Sequence, residues 1–420
     1  MSNMTVKVRL KIAISILVSE KNLILAMPIG IVLVALMKLL RPFVLIRVGF
    51  LRSDRIGHFA INHEIFLCEE KVFKKNRKIK TLDFYYLGRI PVCNEQLATM
   101  WRRVLRVYSP FLLRPISLIL RSTPLLSEHV CGDSKFQDRD VNHVLDNSTS
   151  TLSFTDEEEV LGEITLREFG VPEDSKFVCL IVRDDLYTQN LYGTFGDYHN
   201  YRNCDIDNFV LAAKELANRG IYVLRMGSAV SKVFKVDNPK IIDYATNGMR
   251  SDFMDIYLAA KCLFCITTGL GFDSVPTVFR RPVVFVNHTP VGYLHTFLKT
   301  SIFLTKHHIN SNDNQELNLR EILNSYAVDA FSSDEYKNAD IKLLENTSDE
   351  IRDVVLEMFE RIQGSWTDSR EDEFNQKRFR QLLEECPKAM IDQASGRQLH
   401  GRIVGRYGTK YLQDNSWFIN

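Results

Sequence analysis

A chain of 420 residues is too long for one ordinary hydrophobic core and suits two domains of about 150 residues each. Hydrophobic content of 45% and charged content of 25% are those of a globular protein rather than a disordered or fibrous one. Lys and Arg total 53 against 52 Asp and Glu, so the basic excess of a dedicated nucleic-acid binder is missing and any phosphate binding must be local.

In chain order, the first feature is an uncharged run from Leu23 to Met37 that Leu39 and Leu40 extend past Lys38. About 18 apolar residues is the short limit of a bilayer span, and Pro28 and Gly30 interrupt this one. No signal-peptide cleavage site follows it. A monotopic anchor, a true span and a buried helix all fit residues 1–41. Basic residues on both flanks (Lys7, Arg9 and Lys11; Lys38, Arg41 and Arg47) suit contact with anionic lipid.

Residues 42–50 form an apolar run broken only by Arg47, the pattern of a strand buried on both faces. The turn LRSDRIGH and a helix to about Glu70 follow, then LDFYYLG as a strand and NEQLATMWRRVLRVY as a helix. Residues 122–158 read as loops. A second α/β block opens with the strand KFVCLIV (176–182) and continues with a helix through NFVLAAKELANRG, capped by Asp205 or Asp207. IYVLRMG, IIDYA, the Ser251-capped helix SDFMDIYLAAK, the strand CLFCITT, a GLG turn and the strand PVVFVN come next. Such alternation is the signature of a parallel, doubly wound sheet. Cys262 and Cys265 both fall in the CLFCITT strand, on opposite faces, so no shared metal is expected. The other cysteines of the eight show no framework spacing and suit a reducing compartment.

The string Thr347-Ser-Asp-Glu350 is a capping box. Ile351, Val354, Val355, Met358, Phe359 and Ile362 then line one helix face, and Gly364 ends it. A polar helix at about 370–385 and a mixed tail complete the chain. The expected division is a membrane-associating segment (1–41), a first α/β domain (42–170), a second (171–345), and C-terminal helices with a tail (346–420).

In open α/β sheets ligands bind at the carboxyl ends of strands. Arg183 stands at one such end, Arg225 with Gly227 at a second, and Thr268, Gly269 and Gly271 at a third. Guanidinium groups bind phosphate oxygens in bidentate fashion, and amides at a helix N-terminus favour an anion, so these residues together predict a diphosphate pocket. Taken singly, an arginine after a strand is commonly ion-paired, and a glycine turn serves chain geometry alone. The spacing matches neither GxGxxG nor GxxxxGK[ST], which argues against an NAD site and a P-loop. Arg250 with Asp252 and Asp255 clusters at a helix start nearby. In the first block, Arg55, Gly57 and His58 follow the opening strand; His58 is a candidate general base, with Asn62 and Glu64 secondary. The pairs Asp138/Asp140 and Asp205/Asp207 look like metal-binding DxD strings. The first lies in an irregular loop and the second fits a helix cap, so no metal is expected.

Several of these segments occur together and in order: RIGH, the run Tyr198-His199-Asn200-Tyr201-Arg202-Asn203 with Asp205 and Asp207, VLRMG, SDFMDIYLAAK, TTGLG and ENTSDEI. The set, covering roughly residues 40–365, resembles a family of glycosyltransferases assigned to bacterial surface-carbohydrate (O-antigen and capsule) gene clusters. The resemblance implies a GT-B fold. In it, two Rossmann-like domains with parallel sheets face a cleft, the C-terminal one taking the nucleotide-sugar donor and the N-terminal one the acceptor. It also implies metal-independent transfer without a cofactor, arginines and helix dipoles stabilising the departing diphosphate. RIGH resembles the first-loop motif of lipopolysaccharide heptosyltransferases, where the matching position carries an acidic base; here it is His58. The expected partners are a nucleotide sugar, a glycan or lipid-linked acceptor and the cytoplasmic face of a bacterial inner membrane, with no nucleic acid. A nucleotide-sugar 2-epimerase of the same fold and a non-catalytic scaffold of polysaccharide assembly stand as alternatives.

Overall fold

A computed structural model describes residues 23–73, 79–88, 91–187, 189 and 193–420. The basic residues Lys7, Arg9 and Lys11 lie outside them. The chain divides into two compact units, one ending at Lys135 and the other running from Phe136 to Asn420. The division falls earlier than the expected boundary at 170, and residues 346–420 belong to the second unit. Residues 136–150 are bound to that unit by their side and main chains: Arg139 donates to the carbonyls of Tyr293 and Leu294, and Arg280 donates to those of Leu145 and Ser148.

In the first unit, helix α1 (Leu23–Leu40) is long and apolar enough to cross a membrane by length and composition, with mean hydropathy 2.6. Its face is divided. Ala26, Gly30, Val34 and Met37 form a buried stripe, while Leu25, Ile29, Val32 and Leu39 stay exposed. Strand β1 (Val44–Leu51), helix α2 (Ile56–Phe73), strand β2 (Lys80–Leu87), helix α3 (Glu95–Val104) and helix α4 (Pro110–Ser122) follow. The stripe on α1 packs with Val48, Tyr86 and the α4 residues Leu113, Ile116 and Leu120. A methyl group at Gly30 would sit 3.0 Å from Pro115 Cβ, so this glycine lets α1 and α4 approach closely. Arg47 is not free for lipid, because it is buried between Glu70 and Asp83 at 2.6 Å from each. Arg41 likewise pairs with Glu128.

The short strand β3 (Val130–Cys131) interrupts the region expected to be loop. It pairs in parallel with β1, opposite β2, giving the order β2-β1-β3. Two residues are too few to show a hydrophobic period, which is why the sequence hides them.

The second unit opens with helix α5 (Asp156–Glu168), started by a Thr155–Glu158 capping box. The chain then forms β4 (Phe177–Ile181), helix α6 (Val210–Asn218), β5 (Tyr222–Arg225), β6 (Ile241–Ile242) and helix α7 (Asp252–Lys261). Next are β7 (Cys265–Thr267), the short helix α8 (Ser274–Val278), β8 (Val283–His288) and β9 (Ser301–Thr305). An antiparallel pair, β10 (His307–Asn310) with β11 (Ile341–Leu344), lies outside the main sheet. Helix α9 (Ser348–Gln363) starts at the predicted box and stops at Gly364, whose φ of 74° is the left-handed conformation that closes a helix. Ile351, Val354, Val355 and Met358 are buried as expected, but Phe359 and Ile362 are only half-buried. The tail adds helix α10 (Arg370–Glu384) and strand β12 (Arg406–Tyr407).

All strands of the main sheet are parallel, in the order β6-β5-β4-β7-β8-β9-β12. The chain steps outward from β4 to β6, returns to the far side of β4 as β7, and steps outward the other way. The tail therefore becomes the sheet's edge, fastened by Gln376, whose amide bonds both the carbonyl and the N–H of Tyr407. The expected strand CLFCITT is shorter than predicted: Cys262 caps α7 and only Cys265 enters the strand. Cys265 pairs in register with Cys179 of β4, and all three thiols are buried. Burial holds the Cys179 and Cys265 thiols in their protonated form.

Candidate functional site

A doubly wound sheet places its binding crevice where the strand order reverses, at the carboxyl ends of the two strands on either side. In the second unit those strands are β4 and β7. Arg183 follows β4, and Thr267-Thr268-Gly269 ends β7. The two loops are joined: Arg183 N–H donates to Thr268 Oγ1 at 2.9 Å. Arg202, at the end of a 3-10 turn (Gly193–Arg202), reaches the same place and donates to the Gly269 carbonyl. Burial, and then the neighbouring Arg202 charge, push the Arg183 guanidinium down to about 10. Two guanidinium groups thus converge, and neither forms an ion pair among the described residues.

The glycine turn is rigid. Gly269 has φ of 74°, and a methyl group there would lie 2.7 Å from the ring of His288 at the end of β8. Its N–H donates to Thr267 Oγ1 at 3.1 Å, and Leu270 N–H donates to Asp273 Oδ2 at 2.8 Å. These two amides are therefore spent inside the turn, which corrects the expectation that they receive an anion. Burial raises the Asp273 carboxyl to about 7 and keeps His288 neutral, with the Arg202 and Arg139 charges nearby acting in the same sense on His288. Gly271 is exposed and begins the next turn.

Three predicted donor residues sit elsewhere. Arg225 is 1% exposed and paired with Asp243 at 3.2 Å, so its charge is consumed inside the unit. Gly227, with φ of 153°, turns the chain tightly over Val230. Arg250 is held by Asp255 at 2.5 Å and lies 3.9 Å from Asp252. Arg202 and His288 also border the Gly269 turn, and neither is among the site residues predicted from the sequence. Arg202 could have been found, because it stands in the YHNYRN run; His288 carries no local signal.

The paired aspartates also have structural partners. Asp138 pairs with Arg397, and Asp140 caps the N–H groups of Val144 and Leu145. Asp205 and Asp207 share Lys232. Among the described residues no group of three or more His, Cys, Asp or Glu side chains is arranged to hold a metal ion.

The first unit has its own reversal, between β1 and β3 in the order β2-β1-β3. His63, fully buried, stitches these ends together. Its Nδ1 donates to the Gly132 carbonyl at 2.7 Å, and its Nε2 accepts Arg52 N–H at 3.2 Å. Burial keeps it neutral. His58, in the first turn of α2, is half-buried. Its Nδ1 lies 3.3 Å from Asn62 Oδ1, while Asn62 Nδ2 donates to Asp133 Oδ1 at 3.1 Å. The amide donates to the carboxylate and must accept from the ring. In its neutral form the His58 ring therefore carries its proton on Nδ1, leaving the lone pair on Nε2. Gly57 is buried beside it, Arg55 is exposed, and buried Glu64 accepts from Cys68.

No family model matches the chain, and no curated protein matches it. Among solved structures it is similar to a glycosyl transferase family 9 protein from Veillonella parvula, with TM-score 0.39 and 10% identity over 62% of this chain and 85% of that one. The E. coli ADP-heptose lipopolysaccharide heptosyltransferase II gives TM-score 0.34 and 11% identity, covering 66% of this chain and 94% of that one. The E. coli heptosyltransferase WaaC, solved with ADP-2-deoxy-2-fluoro heptose, gives TM-score 0.32 and 10% identity, covering 62% and 93%.

Proposed function

We propose that this chain is a metal-independent glycosyltransferase that moves a sugar from a nucleoside diphosphate sugar to a surface-glycan acceptor. The observation that carries the reading is the pair Arg183 and Arg202 at the reversal point between β4 and β7, neither of which forms an ion pair among the described residues. Two forked cations there suit a diphosphate, whose negative charge grows as the glycosidic bond breaks. His58, with Nε2 unprotonated, serves as the base that takes the acceptor hydroxyl proton. Asn62 and Asp133 fix its orientation and stabilise the charge it gains. The first unit takes the acceptor and the second the donor.

The exposed apolar face of α1, continued by Phe111, Leu112 and Leu118 of α4, fits an anchor lying in the interface of a bacterial inner membrane. A span is disfavoured because one stripe of α1 is already spent on α4. Such an anchor suits a lipid-linked acceptor. Replacing Leu25, Val32 and Leu39 by glutamate should release the folded protein from anionic vesicles.

A thermal-shift screen with UDP, GDP and ADP sugars, and CMP sugars as the monophosphate control, tests the reading. A ligand at 100 times its dissociation constant stabilises by roughly 2.7 kcal/mol. A shift with one diphosphate class, lost in Arg183→Gln, supports it, and no shift with any diphosphate sugar removes it. Donor converted to an epimer without acceptor would favour the epimerase.

A further inference from the structure

A second cluster of unpaired cations lies at the other end of the main sheet. A cavity of about 460 Å³ is lined by His143, Asp146, Asn147, Lys299, Arg380 and Arg402, with Ile403 and Val404 completing its wall. Lys299 stands just before β9, and Ile403 and Val404 just before β12. Because the strands are parallel, both positions are at amino ends. The reversal-point site lies at the carboxyl ends, a strand length away, roughly 15 Å for five residues.

The lining carries three permanent cations against one carboxylate. Among the described residues none of Lys299, Arg380 and Arg402 forms an ion pair, and the carboxylate of Asp146 faces His143 at 3.8 Å instead. Both ring nitrogens of His143 are buried without a hydrogen-bond partner. The chain as a whole has a net charge of only +1, so this concentration of positive charge is local. Three cations against a single carboxylate leave a net repulsion, and an anion relieves it while filling the vacant donor positions. The volume suits a small molecule.

We propose that this cavity binds a phosphate-bearing small ligand at a site separate from the donor pocket. Arg380 and Arg402 grip the phosphate oxygens, Lys299 supplies a third charge, and His143 donates a hydrogen bond from the wall. A soluble phosphate compound and a phospholipid headgroup offer the same chemistry.

Calorimetry with inorganic pyrophosphate on the full chain tests this. An Arg183→Gln/Arg202→Gln background removes the donor site, so the remaining binding belongs to the cavity. One pyrophosphate should still bind there, with affinity falling at least tenfold when Arg380→Gln/Arg402→Gln is added. Both arginines are on the surface of the fold, and circular dichroism confirms that the variants are folded. A second arm measures flotation with phosphatidylglycerol vesicles of the same proteins carrying also Leu25→Glu/Val32→Glu/Leu39→Glu, so that the apolar face of α1 does not hold them on the membrane. Loss on adding Arg380→Gln/Arg402→Gln in that arm alone assigns the phosphate to a lipid headgroup. If neither arm responds to those substitutions, or if the Arg183→Gln/Arg202→Gln protein binds in neither, the proposal is overturned. The donor-site reading stands or falls separately, on nucleotide-sugar binding by the protein carrying only Arg380→Gln/Arg402→Gln.

Discussion

Arg225 and Asp243 form a closed ion pair at the end of β5, with Nη1 of the arginine 3.2 Å from the carboxylate. The same carboxylate accepts the N–H of Phe234 and the hydroxyl of Thr246. Asp243 thus organises the loop after β5 and Arg225 neutralises it, so the pair holds the fold rather than a ligand. Removing one partner of a buried pair leaves an uncompensated charge and costs about 3–5 kcal/mol. Arg225→Ala is expected to lose stability of that order in urea unfolding. At temperatures where it remains folded, its affinity for a nucleoside diphosphate should stay within about twofold of the parent. The double replacement Arg225→Met/Asp243→Asn removes both charges but keeps an oxygen for the Phe234 N–H, and should recover much of the stability.

The His58–Asn62–Asp133 chain makes a kinetic prediction. If His58 is the base, His58→Gln lowers kcat by roughly 10²–10⁴-fold with little change in KM. Asn62→Leu cannot fix the ring, so it should lower kcat less and alter the pH profile of kcat. A role confined to packing would leave that profile unmoved. Steady-state kinetics across pH with the identified donor and acceptor decides between them.

His307 provides a test at pH values away from catalysis. Its ring lies between Glu316 at 2.6 Å and Glu350 at 3.1 Å, with the Tyr411 ring tilted beside it. Burial opposes the charged form, but hydrogen bonds to Glu316 and Glu350 outweigh it and raise His307 to about 9. The folded state therefore holds this proton more tightly than the unfolded chain does. The stabilisation is complete below about pH 6.5, where both states are protonated, and is lost as pH rises through 9. Its size is on the order of 3 kcal/mol. Unfolding free energies from pH 6 to 9.5 should fall in the parent and fall less in His307→Gln. Parallel curves would show that His307 does not carry the effect.

Much of the architecture was legible because burial dictates pattern. Strand β4 is a continuous apolar run, β8 opens with one and β1 is broken only by Arg47, and α9 declares its start with Thr347 and Glu350 and its end with Gly364. What escaped is too short or too dependent on distant partners. β3 and β12 have two residues each and exist because a neighbouring strand offers its hydrogen bonds. The boundary at Lys135 was hidden because residues 136–150 owe their place to Arg139 and Arg280, whose partners lie over a hundred residues away. At the candidate site, strand ends pointed to Arg183 and Thr268, which the fold brings into contact. They pointed equally to Arg225, since a sequence cannot show that Asp243 returns to claim it. Arg202 comes from a loop, and only the folded chain brings it beside Arg183.

The central claim is that Arg183 and Arg202 together hold the diphosphate of a nucleotide sugar. Isothermal titration of the matching nucleoside diphosphate into the parent and the two single glutamine variants tests it directly. Each charged hydrogen bond is worth about 1.5–3 kcal/mol, so each variant should bind roughly 10- to 150-fold more weakly while unfolding at nearly the parental temperature. Parental affinity in both variants would contradict the account.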